Sequence, residues 1–281
     1  MPDPYLREIA VVAKAYGVTT YVVMPVSTHR TKVEELLANG IVVELRKDGS
    51  RHIEDALTEM TAFPFPSHDE AHMIHGYGTI ALELEEEVRS VLETSSTLQS
   101  RRVGKLDAVI AIMGNGSALC GICMAFQRTG TRVFGAEVLC GRGNTFRKDD
   151  SPYPEKDRGG CNATQRVSGD SVGALPWSVF TSPSLLSAVL YVDQQSAQLA
   201  QSKLIQQLRI NAEFDDAVPL ALALYSEDFR QFLEKEKANR QELNVGVIIR
   251  SDISACRDGQ RTRTSISPED DLTRYMRIMY W

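Results

Sequence analysis

Gly114-Asn115-Gly116-Ser117 is the stretch of this sequence whose residue types and spacing could do chemistry. It stands between an apolar run, Asp107 to Met113, and a small-residue segment, Ala118 to Ala125. That order reads as a buried strand, a glycine turn and the start of a buried helix. Free N–H groups in such a turn, aided by the helix dipole, make an anion site suited to a phosphate. Strand–glycine–helix turns that hold no ligand are about as common in α/β proteins, so the turn alone leaves both readings open.

Other reactive side chains are weighed beside it. Cys120-Gly121-Ile122-Cys123 has the spacing of a redox pair at a helix start, where a thiolate is stabilised. Cysteine also packs as a small hydrophobe, and core packing is the expected role here. His68, Asp69, His72 and His75 have metal-like spacing without a closed ligand set, so they are expected on the surface. Trp177 and Trp281 are expected to pack, and Asp215-Asp216 to face solvent. No metal site is assigned.

The elements that position the turn follow from periodicity. Tyr5–Tyr16 has helical apolar spacing and stops at Gly17, and Thr19–Met24 reads as a strand closed by Pro25. Ser27 or Thr28 can cap a helix to Asn39, Gly40 ends it, and Ile41–Leu45 is the next strand. His52–Met60 reads as another helix. This alternation at βαβ spacing implies a parallel sheet. Phe63-Pro64-Phe65-Pro66 breaks the pattern, and a domain boundary is placed there, giving residues 1–62 and 63–281. Gly78–Glu93 is a strong amphipathic helix, and Arg132–Glu137 a short strand. Residues 140–170 are poor in apolar side chains and read as a long irregular loop. Helices are expected from about Tyr191 to Leu208, over Val218–Tyr225 and over Glu227–Asn239, followed by a strand at Val245–Ile249. The polar tail is weakly structured as far as Leu272–Trp281.

At 43% hydrophobic residues the chain has the makings of an ordinary core. A net charge of -6 argues against a general nucleic-acid binder. The longest apolar runs are too short to span a bilayer. Met1-Pro2-Asp3-Pro4 carries no apolar core or cleavage pattern, and the five scattered cysteines favour reduced thiols. Both point to the cytoplasm, with no membrane and no nucleic acid as partners.

Tyr21-Val22-Val23-Met24-Pro25, with Lys32-Val33 and Asn39-Gly40-Ile41-Val42-Val43 after it, resembles the small domain of pyridoxal-phosphate enzymes of the tryptophan-synthase-β type. The nearest branch is serine/threonine dehydratase and serine racemase. Gly76-Tyr77-Gly78-Thr79-Ile80-Ala81-Leu82-Glu83 is similar to that family's G-Q-G-T-I-A-x-E helix start, with Tyr77 in place of Gln. Gly114 to Ser117, with Gly121 after them, resemble the G-G-G-G-x-x-A-G loop that holds the cofactor phosphate. Val133–Glu137 matches the next strand, and Val167 to Gly173 is similar to A-D-G-x-A-V-G. The match keeps its order over most of residues 8–180.

The resemblance implies an α/β fold of two domains, each a three-layer αβα parallel sheet, with the N-terminal part missing. It implies pyridoxal 5'-phosphate as cofactor, its phosphate held by Gly114, Asn115, Gly116, Ser117 and Ala118, and a small amino acid as substrate. Family members are commonly dimers, so a homo-oligomer is implied as well. The implied reaction is that of an ammonia-lyase, which converts a hydroxyamino acid to a 2-oxo acid and ammonia. A racemase or β-replacement enzyme is the alternative within the fold. A non-catalytic truncated paralogue, or incomplete gene product, binding a phosphate ligand or a partner is the alternative outside it.

The family's Schiff-base lysine lies in an N-terminal S-x-K-x-R segment, and its substrate carboxylate is bound by S-x-G-N-H-G. Neither motif occurs in these 281 residues. The expectation is a chain N-terminally truncated relative to the family, with no catalytic residue of its own and inactive alone. Lys14, Lys32 and Lys105 are expected to be surface residues rather than substitutes. Where the family reads S-G-G-N, this chain has Arg250-Ser251-Asp252-Ile253. Of the branch's metal pair, Glu137 is kept and Gly143 stands at the second position. Glu213 falls at the place of a family Glu near the cofactor ring.

Overall fold

Ala108-Val109-Ile110-Ala111-Ile112 is apolar at every position, the pattern of a parallel strand covered on both faces. The computed structural model describes residues 4–47, 58–59, 62–65, 69–94, 105–139, 172–182, 184–208, 210–237, 243–249 and 276–279. The chain divides into two units, Met1–Phe65 and Pro66–Trp281.

The first unit alternates α1 (Pro4–Ala15), β1 (Tyr21–Pro25), α2 (Arg30–Ala38) and β2 (Val42–Arg46). The two strands pair in parallel, from Tyr21 opposite Val42 to Pro25 opposite Arg46. Ala10, Leu36 and Ile41 form its small core. The N-cap of α2 is His29, whose side chain accepts the Thr31 amide, and neither Ser27 nor Thr28. Arg46 is held between Glu44 and Glu59, which ties β2 to the helical residues beyond it.

The second unit holds α3 (Ala71–Thr94), β3 (Ala108–Ile112), α4 (Ser117–Phe126), β4 (Arg132–Val138), α5 (Ala174–Phe180), β5 (Ala188–Val192) and α6 (Gln194–Gln207). A 3-10 turn at Asp215–Ala217 leads into α7 (Val218–Tyr225), α8 (Glu227–Lys237), β6 (Leu243–Val247) and β7 (Met276–Met279). Its five strands lie in the order β5-β4-β3-β6-β7, and every pair is parallel. Alternate residues of β3 face opposite ways. Val109 and Ala111 pack with α3, α4 and α5, whereas Ala108 and Ile110 pack with α6, α7 and α8. This unit is therefore three layers, helices on both faces of a parallel sheet. On the second face Phe134 meets Phe229 edge-on, with centroids 5.3 Å apart.

From β3 the chain moves through α4 to β4 and β5 on one side, and β6 returns on the other. The strand order thus reverses beside β3, and the crevice at the C-terminal ends of β3 and β6 is where an open α/β sheet takes its ligand.

Several elements differ from expectation. Ala188–Val192 is a strand, and the helix begins only after Asp193, whose carboxylate caps α6 through the Ser196 amide at 2.7 Å. The β-branched and aromatic side chains of this run suit a half-buried edge strand, and the Asp is a helix start signal. The first-turn amides hold the Asp193 carboxyl below its ordinary range. Helix α3 begins seven residues before Gly78 and carries Gly76 and Gly78 inside it. Helix α5 has no counterpart among the expected elements, although Pro176 sits in its first turn, where a missing N–H costs nothing. The irregular stretch 140–170 lies outside the described residues, as does most of the expected helix His52–Met60. Among the described residues, no helix is long and apolar enough to cross a membrane.

Helices α3 and α4 cross backbone against backbone. A Cβ on Gly121 would collide with the Ile74 carbonyl oxygen and lie 2.6 Å from the Gly78 nitrogen. Gly121→Ala is expected to destabilise the protein by about 1–3 kcal/mol, because backbone cannot move aside as a side chain can. Gly76, in α3 beside Gly78, has open space around it. Gly76→Ala is expected to stabilise by about 0.5–1 kcal/mol. Urea denaturation of the two variants checks the contrast in sign.

Candidate functional site

β3 gives way to α4 through Met113, Gly114, Asn115 and Gly116. Met113 continues the ladder, its amide donating to the Ala136 carbonyl at 2.9 Å. Gly114 and Gly116 then adopt φ values of 50° and 87°, in the left-handed region that favours glycine. The Gly116 amide closes the turn on the Met113 carbonyl at 2.9 Å, and its own carbonyl accepts the Cys120 amide at 2.8 Å. The turn is also wedged. A Cβ on Gly116 would lie 2.9 Å from Phe180 Cε2 and 3.0 Å from Pro176 Cβ, both on α5. Gly114 has no such neighbour.

The start of α4 is buried unevenly. Gly116 and Ser117 are buried, while Gly114, Asn115 and Ala118 are half-buried at the rim. The Ser117 amide donates to Asn115 Oδ1 at 3.1 Å. The amides of Ala118 and Leu119 meet no acceptor among the described residues, and neither does the Ser117 hydroxyl find a partner there. These are the donors that a helix start offers to an anion. All five residues expected to hold a phosphate thus lie on one turn, at the C-terminal end of the central strand, where the strand order reverses.

The remaining candidates are placed as follows. Cys120 and Cys123 are both buried thiols that pack with the core on the α3 side of the sheet. Burial, with the Asp69 carboxylate adding to it, pushes the Cys120 thiol up to about 11. The pair is core packing, as expected. Trp177 packs against the same core. His72 and His75 are exposed on α3, and His68 lies outside the described residues. Among the described residues no three His, Cys, Asp or Glu groups converge as a metal site. Glu137 is buried at the end of β4, and Glu213 is exposed. Lys14 and Lys105 are exposed and Lys32 is half-buried. Lys105 precedes β3, the length of the strand away from the turn.

Two roles went unread in the sequence. Asp69 accepts the amides of Ala174 and Leu175, at 3.0 and 3.2 Å, and so caps α5 from 105 residues away. No local pattern announces such a contact. Asp216 is buried rather than solvated, and its carboxylate accepts the Glu213 amide at 3.0 Å. The signal for it is the three-residue spacing at which an acid reaches back to a free amide, as in a capping box, and a reading of paired acids as surface passes over it.

A family model described as pyridoxal-phosphate dependent enzyme matches residues 7–237. The chain is similar to the serine racemase of Oryza sativa subsp. indica, 22% identical over 256 residues, which is 86% of this chain and 66% of that protein. The chain therefore spans slightly less than two thirds of that relative's length. The crystal structure of serine racemase from Dictyostelium discoideum superposes with a TM-score of 0.66 at 21% identity, covering 88% of this chain and 72% of that one. The processed form of threonine deaminase isoform 2 from Solanum lycopersicum gives 0.64 at 17% identity, covering 88% and 66%. At these identities the two structures speak to the fold alone.

The geometry of the turn ranks its glycines. Gly116→Ala is expected to cost about 2–4 kcal/mol, since a left-handed backbone and a collision with buried Phe180 add together. Gly114→Ala, with the backbone term alone, is expected to cost about 1 kcal/mol. Chemical denaturation of both checks the order. For Cys120, the thiol stays protonated at neutral pH and is expected to resist thiol reagents until the protein unfolds. Its stabilising contribution is complete below 9.0 and is lost as pH rises through about 11. Urea midpoints over that interval are expected to fall less steeply in Cys120→Ala than in the parent.

Proposed function

Because the chain belongs to the pyridoxal-phosphate dependent enzyme family, whose cofactor is pyridoxal phosphate, we propose that the turn Gly114–Ser117 with Ala118 holds that cofactor's phosphate. The observation that carries this reading is the set of donors at the start of α4, namely the amides of Ala118 and Leu119 and the Ser117 hydroxyl, beside a turn whose glycines let an anion approach the backbone. The residues fit a phosphate dianion, which gains from both the hydrogen bonds and the helix dipole. The cofactor, when bound, supplies an electron sink for chemistry at the α-carbon of an amino acid.

The substrate class is a small hydroxyamino acid, and the reaction class for the whole protein is ammonia-lyase. The sequence similarity to serine racemase supports the substrate class, and the ammonia-lyase assignment rests on the resemblance of the motifs. These 281 residues hold no S-x-K-x-R segment, and none of Lys14, Lys32 or Lys105 lies in the turn. Their part is to seat the phosphate. Covalent attachment and proton removal at the α-carbon need a lysine from elsewhere, so the polypeptide as it stands binds the cofactor without a covalent link and does not turn over substrate. This favours, for this polypeptide by itself, the second reading: a non-catalytic phosphate binder with the family's fold.

Isothermal titration of the full chain tests the proposal, with pyridoxal 5'-phosphate compared against pyridoxal, which lacks the phosphate. The phosphorylated form is expected to bind at least about tenfold more tightly, the worth of one or two charge-assisted hydrogen bonds. Equal affinity for the two compounds overturns the phosphate reading. Borohydride treatment followed by peptide mass spectrometry is expected to leave every lysine unmodified. A single lysine carrying the cofactor overturns the non-covalent reading.

A further inference from the structure

The amide of Ser117 is the first donor of α4, and it is already taken. Asn115 Oδ1 accepts it at 3.1 Å. The Gly116 amide is likewise spent, on the Met113 carbonyl. The Asn115 oxygen bears partial negative charge, and it sits at the positive end of the helix where an anion oxygen would sit. One N–H makes one well-aligned hydrogen bond, so a phosphate oxygen and Asn115 Oδ1 compete for this donor. Asn115 is half-buried at the rim, and its carboxamide can turn outward and exchange the lost bond for water.

We propose that Asn115 sets the phosphate affinity of the turn by acting as an internal competitor, capping α4 until an anion displaces its carboxamide from the Ser117 amide. This rests on the reading of the turn as the phosphate site. It gives Asn115 two opposed effects. The carboxamide stabilises the fold through the cap and weakens the ligand through the same hydrogen bond. A residue with a merely structural role would move both quantities in one direction.

The test measures, on the full chain, unfolding in urea without added ligand and titration with pyridoxal 5'-phosphate against pyridoxal. Asn115→Gly removes the competitor and is expected to unfold at lower urea while binding pyridoxal 5'-phosphate about fivefold more tightly, the worth of one neutral hydrogen bond. Asn115→Asp keeps an acceptor on the Ser117 amide and adds a negative charge where the phosphate must come. It is expected to be at least as stable as the parent and to bind about tenfold more weakly. Should Asn115→Gly fold poorly, the Asp variant still decides the matter, since its cap is intact. If the parent prefers pyridoxal 5'-phosphate over pyridoxal but Asn115→Gly binds no tighter, or Asn115→Asp binds as well as the parent, the competitor role is overturned and the phosphate reading stands. If no form of the protein prefers the phosphorylated compound, the phosphate reading fails and the competitor role fails with it.

Discussion

Gly78 and Gly121 bring α3 and α4 so close that neither backbone has room for a side chain, and the place of the glycine turn follows from that contact. A Cβ on Gly135 of β4 would lie 2.9 Å from Leu119 Cδ2, so the same helix is pressed onto the sheet. Gly116 at its start is wedged against Phe180 and Pro176 of α5. The helix is thereby fixed against a helix, a strand and a second helix, at three points along ten residues. Its first amides inherit that rigidity. A donor set held this way would lose little entropy on taking an anion, which is the physical content of preorganisation.

Within α4 the same environment treats two side chains differently. Ser117 occupies the first helical position, where the dipole and the free amides act, and it is buried beside a rim of half-buried residues. Cys120 lies one turn further in, where the dipole no longer reaches strongly and desolvation decides the matter. The thiol is therefore raised to about 11 rather than lowered toward a reactive thiolate. A C-x-x-C at a helix start becomes a redox site only where its thiols keep some access to water, and here they have none.

What the sequence made legible was local. The apolar run of β3, its glycine punctuation and the small residues of α4 are contiguous, so strand, turn and helix could be read in order, and the family likeness rested on the same stretches. The parallel order of the strands followed from the βαβ spacing. The misread elements depend on distant partners. Tyr191 and Val192 pass for the start of a helix until β4 is set beside them, with Glu137 opposite Tyr191. Asp69 looks like one member of a histidine-rich surface until α5 is brought to it from residue 174 onward. Asn115 reads as one member of the phosphate loop, and only the folded turn shows that its side chain is spent on Ser117.

The glycine contacts around α4 have a consequence for descent. Gly116, Gly121 and Gly135 each answer to a steric demand of the core that exists whether or not any reaction takes place. Selection for folding alone would keep them. Their presence therefore marks inheritance of the packing around α4, and is silent on the chemistry done beside it.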